Sequence, residues 1–243
     1  MPNEDIIYFG DTARVPYGGK SYETIRRYSL EIANFLIRKN VKLIVIACNT
    51  ASSVALPVLR KKYKIPFVGV IRPAANSAYV SSANHRIGVI GTIGTVKSGA
   101  YKKELEKLNP NIKVFQTACP LFVPLAEEGW HKSNIAQLAS VKYLSSLKRK
   151  NIDTIILGCT HYPLLKSVIG RTFGKGVRMI DAGKETASEV KRILSEKKIN
   201  NTGKKKGIMM AWFQPGSSND EVVKYAESLG IEVVHSVCLM VSI

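Results

Sequence analysis

Two short segments of this chain share one arrangement, a buried strand that ends in a cysteine at the start of a helix. Residues 43–47 and 154–157 are apolar runs rich in β-branched residues, a pattern that predicts strands. Cys48 and Cys159 follow these runs and precede hydroxyl or amide side chains that are suited to cap a helix. In open α/β sheets, ligands bind at the carboxyl ends of the strands. Both thiols are therefore expected at ligand-binding edges of parallel sheets.

The same alternation of strands and helices extends through most of the chain. The pattern predicts strands at residues 6–9, 43–47, 67–70, 86–90, 113–117, 154–157 and 176–180. It predicts helices at residues 22–38, 52–63, 96–108, 133–150, 164–171 and 185–197. Residues 200–207 are expected to form a linker or turn, followed by a helix at 221–229 and a strand at 231–237. Such an alternation favours parallel sheets covered by helices, the α/β class.

The two cysteine segments lie about one small domain apart in the sequence, which favours an internal duplication. Two similar α/β halves that face each other would place one thiol on each side of a bound molecule. Every doubly wound protein repeats strand, turn and helix, however, so a similarity this short can also arise by chance.

The composition restricts the cellular compartment and the class of binding partner that we expect for this chain. The chain has 36 Lys and Arg against 18 Asp and Glu, a formal net charge of +18, and such a field attracts polyanions. The basic residues form small groups with few aromatic residues between them, which favours a solvated surface over a nucleic-acid groove. The four cysteines lack metal-site or disulfide spacing. With no leader or membrane span recognised, the expectation is a soluble, cytoplasmic protein without a metal.

Two opposed thiols suit one particular kind of chemistry. A thiolate on one face can remove the proton from a carbon beside a carboxylate, and a thiol on the other face can return one, which inverts a stereocentre. A lone buried cysteine is more often a small apolar residue, but two in matching turns favour a functional pair. His161 either caps a helix or hydrogen-bonds the Cys159 thiol and carries protons. Asn49, Thr50 and Thr160 can cap helices or hold a substrate carboxylate.

Six segments match, in order, the motifs of a known enzyme family. They are residues 8–18, 47–51, 88–92, 96–99, 118–121 and 158–164. In these segments the chain strongly resembles the glutamate racemases, cofactor-independent enzymes that supply D-glutamate for bacterial peptidoglycan. The resemblance implies two facing three-layer α/β domains with mainly parallel sheets, related by a pseudo-twofold axis. It assigns residues 1–71 and 181–243 to a discontinuous first domain and residues 72–180 to an inserted second domain.

The resemblance also implies roles for individual residues. Cys48 and Cys159 would transfer the protons, assisted by His161 and by an acidic residue aligned to Glu127, with Glu128 as the alternative. Substrate binding is implied for Tyr17, Gly18, Asn49, Thr50, Thr92, Thr160 and His161. The implied partner is the small molecule glutamate, with no cofactor and no membrane, and a homodimer is left open.

Three departures from the family pattern affect these expectations. Family members begin with a strand and a glycine-rich turn carrying an Asp-Ser pair, and this chain starts after that point, so the first domain is expected to be truncated and its activity impaired unless the protein begins upstream. Arg72 stands where the family usually has Glu, and the residues after Lys204 match poorly.

Three functions follow as hypotheses. The first is an active glutamate racemase. The second is a catalytically impaired homologue with a binding role, for example toward DNA gyrase or nucleic acid. The third is an aspartate-type racemase.

Overall fold

The chain folds around two parallel β-sheets that alternate with helices. The structure is a computed structural model that describes residues 4–201 and two further strands, 208–213 and 232–235. The strands are β1 (Asp5–Gly10), β2 (Leu43–Ile46), β3 (Phe67–Gly69), β4 (Arg86–Gly91), β5 (Lys113–Ala118), β6 (Thr154–Gly158), β7 (Arg178–Asp181), β8 (Ile208–Phe213) and β9 (Glu232–His235). The helices are α1 (Tyr22–Arg38), α2 (Asn49–Lys62), α3 (Ile71–Ser81), α4 (Ile93–Ser98), α5 (Ala100–Leu108), α6 (Phe122–Glu127), α7 (Asn134–Lys148), α8 (Lys166–Phe173) and α9 (Ala182–Glu196).

The strand order confirms the predicted α/β class. One sheet has the order β3-β2-β8-β1-β9 and the other has the order β5-β4-β6-β7, and every described strand pair is parallel. We call the first sheet with α1 and α2 the five-stranded half, and the second sheet with α3 to α8 the four-stranded half. A pseudo-twofold relation between the halves stays a prediction.

The five-stranded half forms its core from the apolar faces of α1 and α2. Ser21 caps α1 by accepting a hydrogen bond from the Thr24 N–H, and the buried Ile25, Ile32 and Leu36 lie on one face of this helix. They pack with residues of β1 and β2 in one apolar cluster. Burial of this face supplies most of the stability of such a helix.

Helix α9 packs against both halves. Its Val190 and Leu194 are buried in a cluster with Leu43, Val45 and Val68 of the five-stranded sheet. The same helix contacts α3, β6 and β7 of the four-stranded half. It therefore joins the two halves along one side.

The helix predicted at 96–108 is wrong as a single element, because it is divided into α4 and α5 at Gly99. This residue has a φ of 63°, in the left-handed region that ends a helix. The helix predicted at 52–63 begins three residues earlier, because Cys48 itself is the N-cap. The helix predicted at 164–171 is a 3-10 turn, Tyr162–Leu165, followed by α8.

Two helices and one strand were not predicted. Helix α3 is rich in small residues and α6 is six residues long, so neither carries a long apolar repeat. Strand β8 lies between β1 and β2 and pairs with both, aligning Met210 with Ile7 and with Ile44. Strand β9 falls within the strand predicted at 231–237. The helix predicted at 221–229 and most of the predicted linker lie outside the described residues.

None of the described helices combines the length and the apolar character that a membrane-spanning segment needs.

Candidate active site at the junction of the two halves

The two predicted proton-transfer cysteines lie at the carboxyl ends of strands in different sheets. Cys48 follows β2 and caps α2, and its Sγ accepts a hydrogen bond from the Ala51 N–H at 3.4 Å. Cys159 follows β6. Both are buried, with 1% and 4% of their surface exposed. An electrostatic interaction with Cys48 is one of the causes that raise the pKa of Cys159.

Threonine hydroxyls join the two halves next to these thiols. Thr50, on α2, has its Oγ1 2.8 Å from Oγ1 of Thr92 and 3.2 Å from Oγ1 of Thr95, both in the four-stranded half. The Thr92 and Thr95 hydroxyls are 3.1 Å apart, and Thr92 also caps α4. The three buried hydroxyls thus form a closed hydrogen-bonded triangle. The structure brings the predicted Thr50 and Thr92 together and adds Thr95, which was not predicted.

Two further hydrogen bonds cross the junction. The Gly94 N–H donates to the Gly18 carbonyl at 2.9 Å. The Tyr101 hydroxyl, on α5, donates to Oδ1 of Asn49 at 2.6 Å. Predicted site residues of the five-stranded half are therefore held by the backbone and by a side chain of the four-stranded half.

His161 connects Cys159 to a carboxylate. Its Nδ1 is 3.6 Å from Cys159 Sγ and its Nε2 is 3.2 Å from Oε1 of Glu127, while its ring is 2% exposed. Thr160 Oγ1 is 3.5 Å from the same Nδ1. Glu127 ends α6, and its carboxylate reaches the buried ring from a partly exposed position. Of the two predicted acidic residues, the structure brings Glu127 to His161, and Glu128 is the exposed C-cap of α6.

Tyr17 shares the apolar core of the five-stranded half with Cys48, and its hydroxyl belongs to a charged cluster. Its hydroxyl donates a short hydrogen bond to the carboxylate of the buried Asp11, which also accepts from Nε of Arg14 at 2.9 Å and 3.0 Å. Burial and the negative charge of Asp11 raise the pKa of Tyr17, so the phenol keeps its proton. Asp11 was not predicted as a site residue, although it lies inside the motif at 8–18.

Burial holds both thiols in the protonated form. It raises the pKa of Cys48 to about 11, opposed by hydrogen bonds from Ala51 and Thr50. It raises the pKa of Cys159 to about 12, opposed by hydrogen bonds from His161 and Thr160. At pH 8 roughly one Cys48 in a thousand is then a thiolate. The closed junction therefore holds a pair of thiols, and proton transfer needs one of them to be deprotonated.

We expect the alkylation rate of Cys48 and Cys159 in the folded protein to rise about tenfold per pH unit up to at least pH 10. Iodoacetamide labelling with mass spectrometry of each cysteine peptide measures this rate. In the urea-unfolded chain the rate should level off near pH 9, the usual range for a free thiol. Because both groups bind a proton more tightly when folded, the free energy of unfolding should fall as pH rises through about 9 to 12. A plateau below pH 9 in the folded protein would contradict the assigned burial.

Comparisons with known proteins bear on this site. The family model of Asp/Glu/hydantoin racemases matches residues 1–190. A glutamate racemase from Geobacter metallireducens is 56% identical over 194 residues, which cover 80% of this chain and 72% of the relative. A solved glutamate racemase isoform from Bacillus anthracis has a TM-score of 0.86 at 36% identity, and the match covers 99% of this chain and 90% of the solved chain. The glutamate racemase from Francisella tularensis, solved in complex with D-glutamate, has a TM-score of 0.81 at 38% identity. That match covers 94% of this chain and 84% of the solved chain.

A second family model matches the end of the chain. Residues 188–243 match the model of a CoA binding domain. This range includes the residues after Lys204, which depart from the racemase motifs, and it includes β8 and β9. From the match over residues 1–190 and the identity to the curated relatives, the chain belongs to the Asp/Glu/hydantoin racemase family.

Proposed function

We propose that this chain interconverts L- and D-glutamate without a cofactor, by proton transfer between Cys48 and Cys159. The observation that carries the proposal is the placement of two buried thiols at the carboxyl ends of strands from separate sheets. Hydrogen bonds between Thr50 and Thr92 and from Tyr101 to Asn49 hold the two sheets together beside Cys48. Opposed thiols can serve the two faces of one carbon. Racemisation needs this arrangement, because the proton must leave from one face and return to the other.

The proposed reaction moves two protons and leaves no net change in the enzyme's composition. One cysteine, as thiolate, takes the Cα proton of glutamate and becomes a thiol, while the C–H electron pair stays on the substrate and is delocalised into its carboxylate. The opposite cysteine, as thiol, then donates its proton to the other face of Cα and becomes a thiolate. After product release, proton exchange with solvent restores the starting state. Both sulfurs are buried, so the substrate reaches them only when the two halves separate.

We assign His161 and Glu127 to the activation of Cys159. An imidazole near a thiol can accept its proton, and a carboxylate on the other ring nitrogen orients the ring and stabilises the imidazolium that forms. Distances of 3.6 Å and 3.2 Å along Cys159, His161 and Glu127 support this order of transfer. Ligand-free sites often show such contacts longer than they are during reaction.

The remaining predicted residues are proposed to bind the substrate. Thr50 and Thr160 hydrogen-bond the two thiols. Gly18, Asn49 and Thr92 take part in the hydrogen bonds that cross the junction, and the N-terminus of α2 favours a negative charge. The residues are Tyr17, Gly18, Asn49, Thr50, Thr92 and Thr160. We also propose the domain organisation implied by the resemblance, an inserted domain at 72–180 within a domain formed by 1–71 and 181–243. The separate sheets built from β4 to β7 and from the other strands support it.

Glutamate is proposed over aspartate because the curated relatives at 47–56% identity are named glutamate racemases and one solved neighbour holds D-glutamate. The proposed role of the product is the supply of D-glutamate for peptidoglycan, made in the cytoplasm.

The CoA binding domain model that matches residues 188–243 implies coenzyme A as a ligand. Side chains are described only for residues 188–201 of that range, where α9 buries Val190 and Leu194 in the core and pairs Arg192 with Glu189 and Glu196, so these side chains do not form a site for it.

We expect the protein to convert either enantiomer of glutamate to an equimolar mixture, because the two products are equally stable in water. Loss of the circular dichroism signal of L-glutamate measures this conversion, with aspartate assayed in parallel. In D2O, early product should carry deuterium at Cα while remaining substrate stays protonated, since different residues remove and deliver the proton.

A constant optical signal with folded protein would contradict the proposal and favour a binding role, which salt-sensitive DNA or gyrase binding would then test. Faster turnover of aspartate than of glutamate would support the third hypothesis, an aspartate-type racemase.

A further inference from the structure

The junction contains a buried tyrosine that the proton-transfer scheme does not use. Tyr101 lies on α5, in the four-stranded half, and is fully buried. Its hydroxyl crosses to the five-stranded half and donates to Oδ1 of Asn49 at 2.6 Å, and Asn49 is itself 3% exposed. A buried polar pair of this kind is retained only when both groups are satisfied, so its geometry is well defined.

The hydrogen bond fixes which end of the Asn49 carboxamide faces which group. An asparagine side chain carries an acceptor oxygen and a donor NH2 group on the same carbon, and the two diverge within one plane. Because Tyr101 donates to Oδ1, the NH2 group points away from Tyr101. A primary amide presented in this direction is a donor for a substrate carboxylate, whereas the opposite orientation would present an oxygen and repel it.

The surroundings keep Tyr101 in the donor role. Burial raises the pKa of its phenol, and the charge on Cys159 raises it further, so the hydroxyl stays protonated at any pH at which the protein works. The ring is also held in place near Cys159. A Cβ added to Gly158, the residue before Cys159, would lie 3.1 Å from Tyr101 Cε2. The tyrosine is therefore in contact with the strand end that carries one thiol and bonded to the residue that follows the other.

We infer that Tyr101 is a positioning residue that orients the Asn49 amide toward a carboxylate of glutamate when the two halves are closed. This inference rests on the proposed function, because it takes Asn49 as a substrate-binding residue. Tyr101 does not touch the reacting atoms in this scheme. It acts through Asn49, and it orients the donor only while its hydroxyl reaches Asn49 across the junction.

The test is a kinetic comparison of Tyr101→Phe, Asn49→Ala and the double variant. Removal of the hydroxyl leaves the amide free to rotate, and a carboxylate contact made equally in the ground state and the transition state is then weakened. We expect KM for L-glutamate to rise at least tenfold in Tyr101→Phe, with kcat within threefold of wild type. In the Asn49→Ala background the same substitution should change KM less than twofold, because the group that Tyr101 orients is absent.

Tyr63→Phe is the matched control. Tyr63 also donates to the Oδ1 of an asparagine, Asn34, and both residues of this exposed pair belong to the five-stranded half. This variant should leave both KM and kcat unchanged. Thermal unfolding of each variant shows whether it folds, and D-glutamate binding by calorimetry should weaken in Tyr101→Phe by the factor seen in KM.

The outcomes separate this inference from the proposed function. If the wild-type protein does not racemise glutamate, the proposed function fails. If it does and Tyr101→Phe keeps the wild-type KM, only the role of Tyr101 is overturned. Equal losses for Tyr101→Phe in the wild-type and Asn49→Ala backgrounds would also overturn it, since the tyrosine would then act on something other than Asn49.

Discussion

Replacement of either Cys48 or Cys159 by alanine is expected to lower kcat for glutamate racemisation by more than ~1,000-fold in both directions. General acid or base catalysis by one positioned group is typically worth about 100- to 10,000-fold, and each direction of this reaction needs one cysteine as base and the other as acid. Loss of one thiol therefore removes a step from both directions. Racemisation of each enantiomer, followed by circular dichroism or chiral chromatography, measures the effect.

Deuterium exchange without inversion distinguishes the roles of the two thiols. A variant that retains one cysteine can still remove and return the proton on the face which that cysteine serves. We expect Cys48→Ala and Cys159→Ala to exchange the α-proton of opposite enantiomers in D2O. Cys119→Ala is the control, because Cys119 is also fully buried but is not one of the proposed pair. Residual racemisation within tenfold of wild type in either active-site variant would contradict the two-cysteine reaction.

Gly18→Ala is expected to lower kcat/KM for glutamate by about 100-fold. A Cβ at Gly18 would lie 2.7 Å from Cβ of Thr92, closer than nonbonded carbon atoms approach, and Thr92 belongs to the four-stranded half. The added methyl group would push the halves apart and stretch the hydrogen bond from Gly94 to the Gly18 carbonyl. A shift of about 1 Å in a catalytic arrangement can cost about 100-fold in rate.

The neighbouring glycine provides a control of the same chemistry. A Cβ at Gly19 meets nothing within 4 Å, so Gly19→Ala should leave kcat/KM within twofold of wild type. Steady-state kinetics and thermal unfolding of both variants measure the difference. If the two substitutions have equal effects, the contact of Gly18 with Thr92 does not control closure of the junction.

The parallel α/β fold was predictable because its strands are short apolar runs with clear ends. Residues 43–46 and 154–158 are buried along their whole length, so hydrophobicity alone marks them. The boundary at Gly99 was not predictable from periodicity, because the apolar pattern continues across it and only the left-handed backbone divides the helices. Strand β8 was missed because its place is set by pairing with β1 and β2, which are distant in sequence.

In the site, too, contacts between sequence neighbours could be predicted, whereas contacts between residues that are distant in the sequence could not. The pairing of His161 with Cys159 was proposed because the two residues are neighbours in sequence, and the structure places their side chains 3.6 Å apart. The contact of Glu127 with His161 was expected only from the family resemblance. Asp11 and Tyr101 were missed because each contacts a predicted residue through a hydrogen bond that only the folded chain creates. A tyrosine in an amphipathic helix gives no sequence signal that its hydroxyl crosses to another sheet.

The packing of α9 determines how a substrate can enter. Val190 and Leu194 are buried against the five-stranded sheet, while the start of the same helix packs on the other sheet. Pulling both side chains into water would cost about 3–6 kcal/mol, so parting the halves along this helix is disfavoured. We therefore expect opening to be a rotation about an axis near α9 that breaks the hydroxyl triangle and the Tyr101 contact. Such an opening would exchange a few polar contacts for water and leave the apolar contacts of α9 in place.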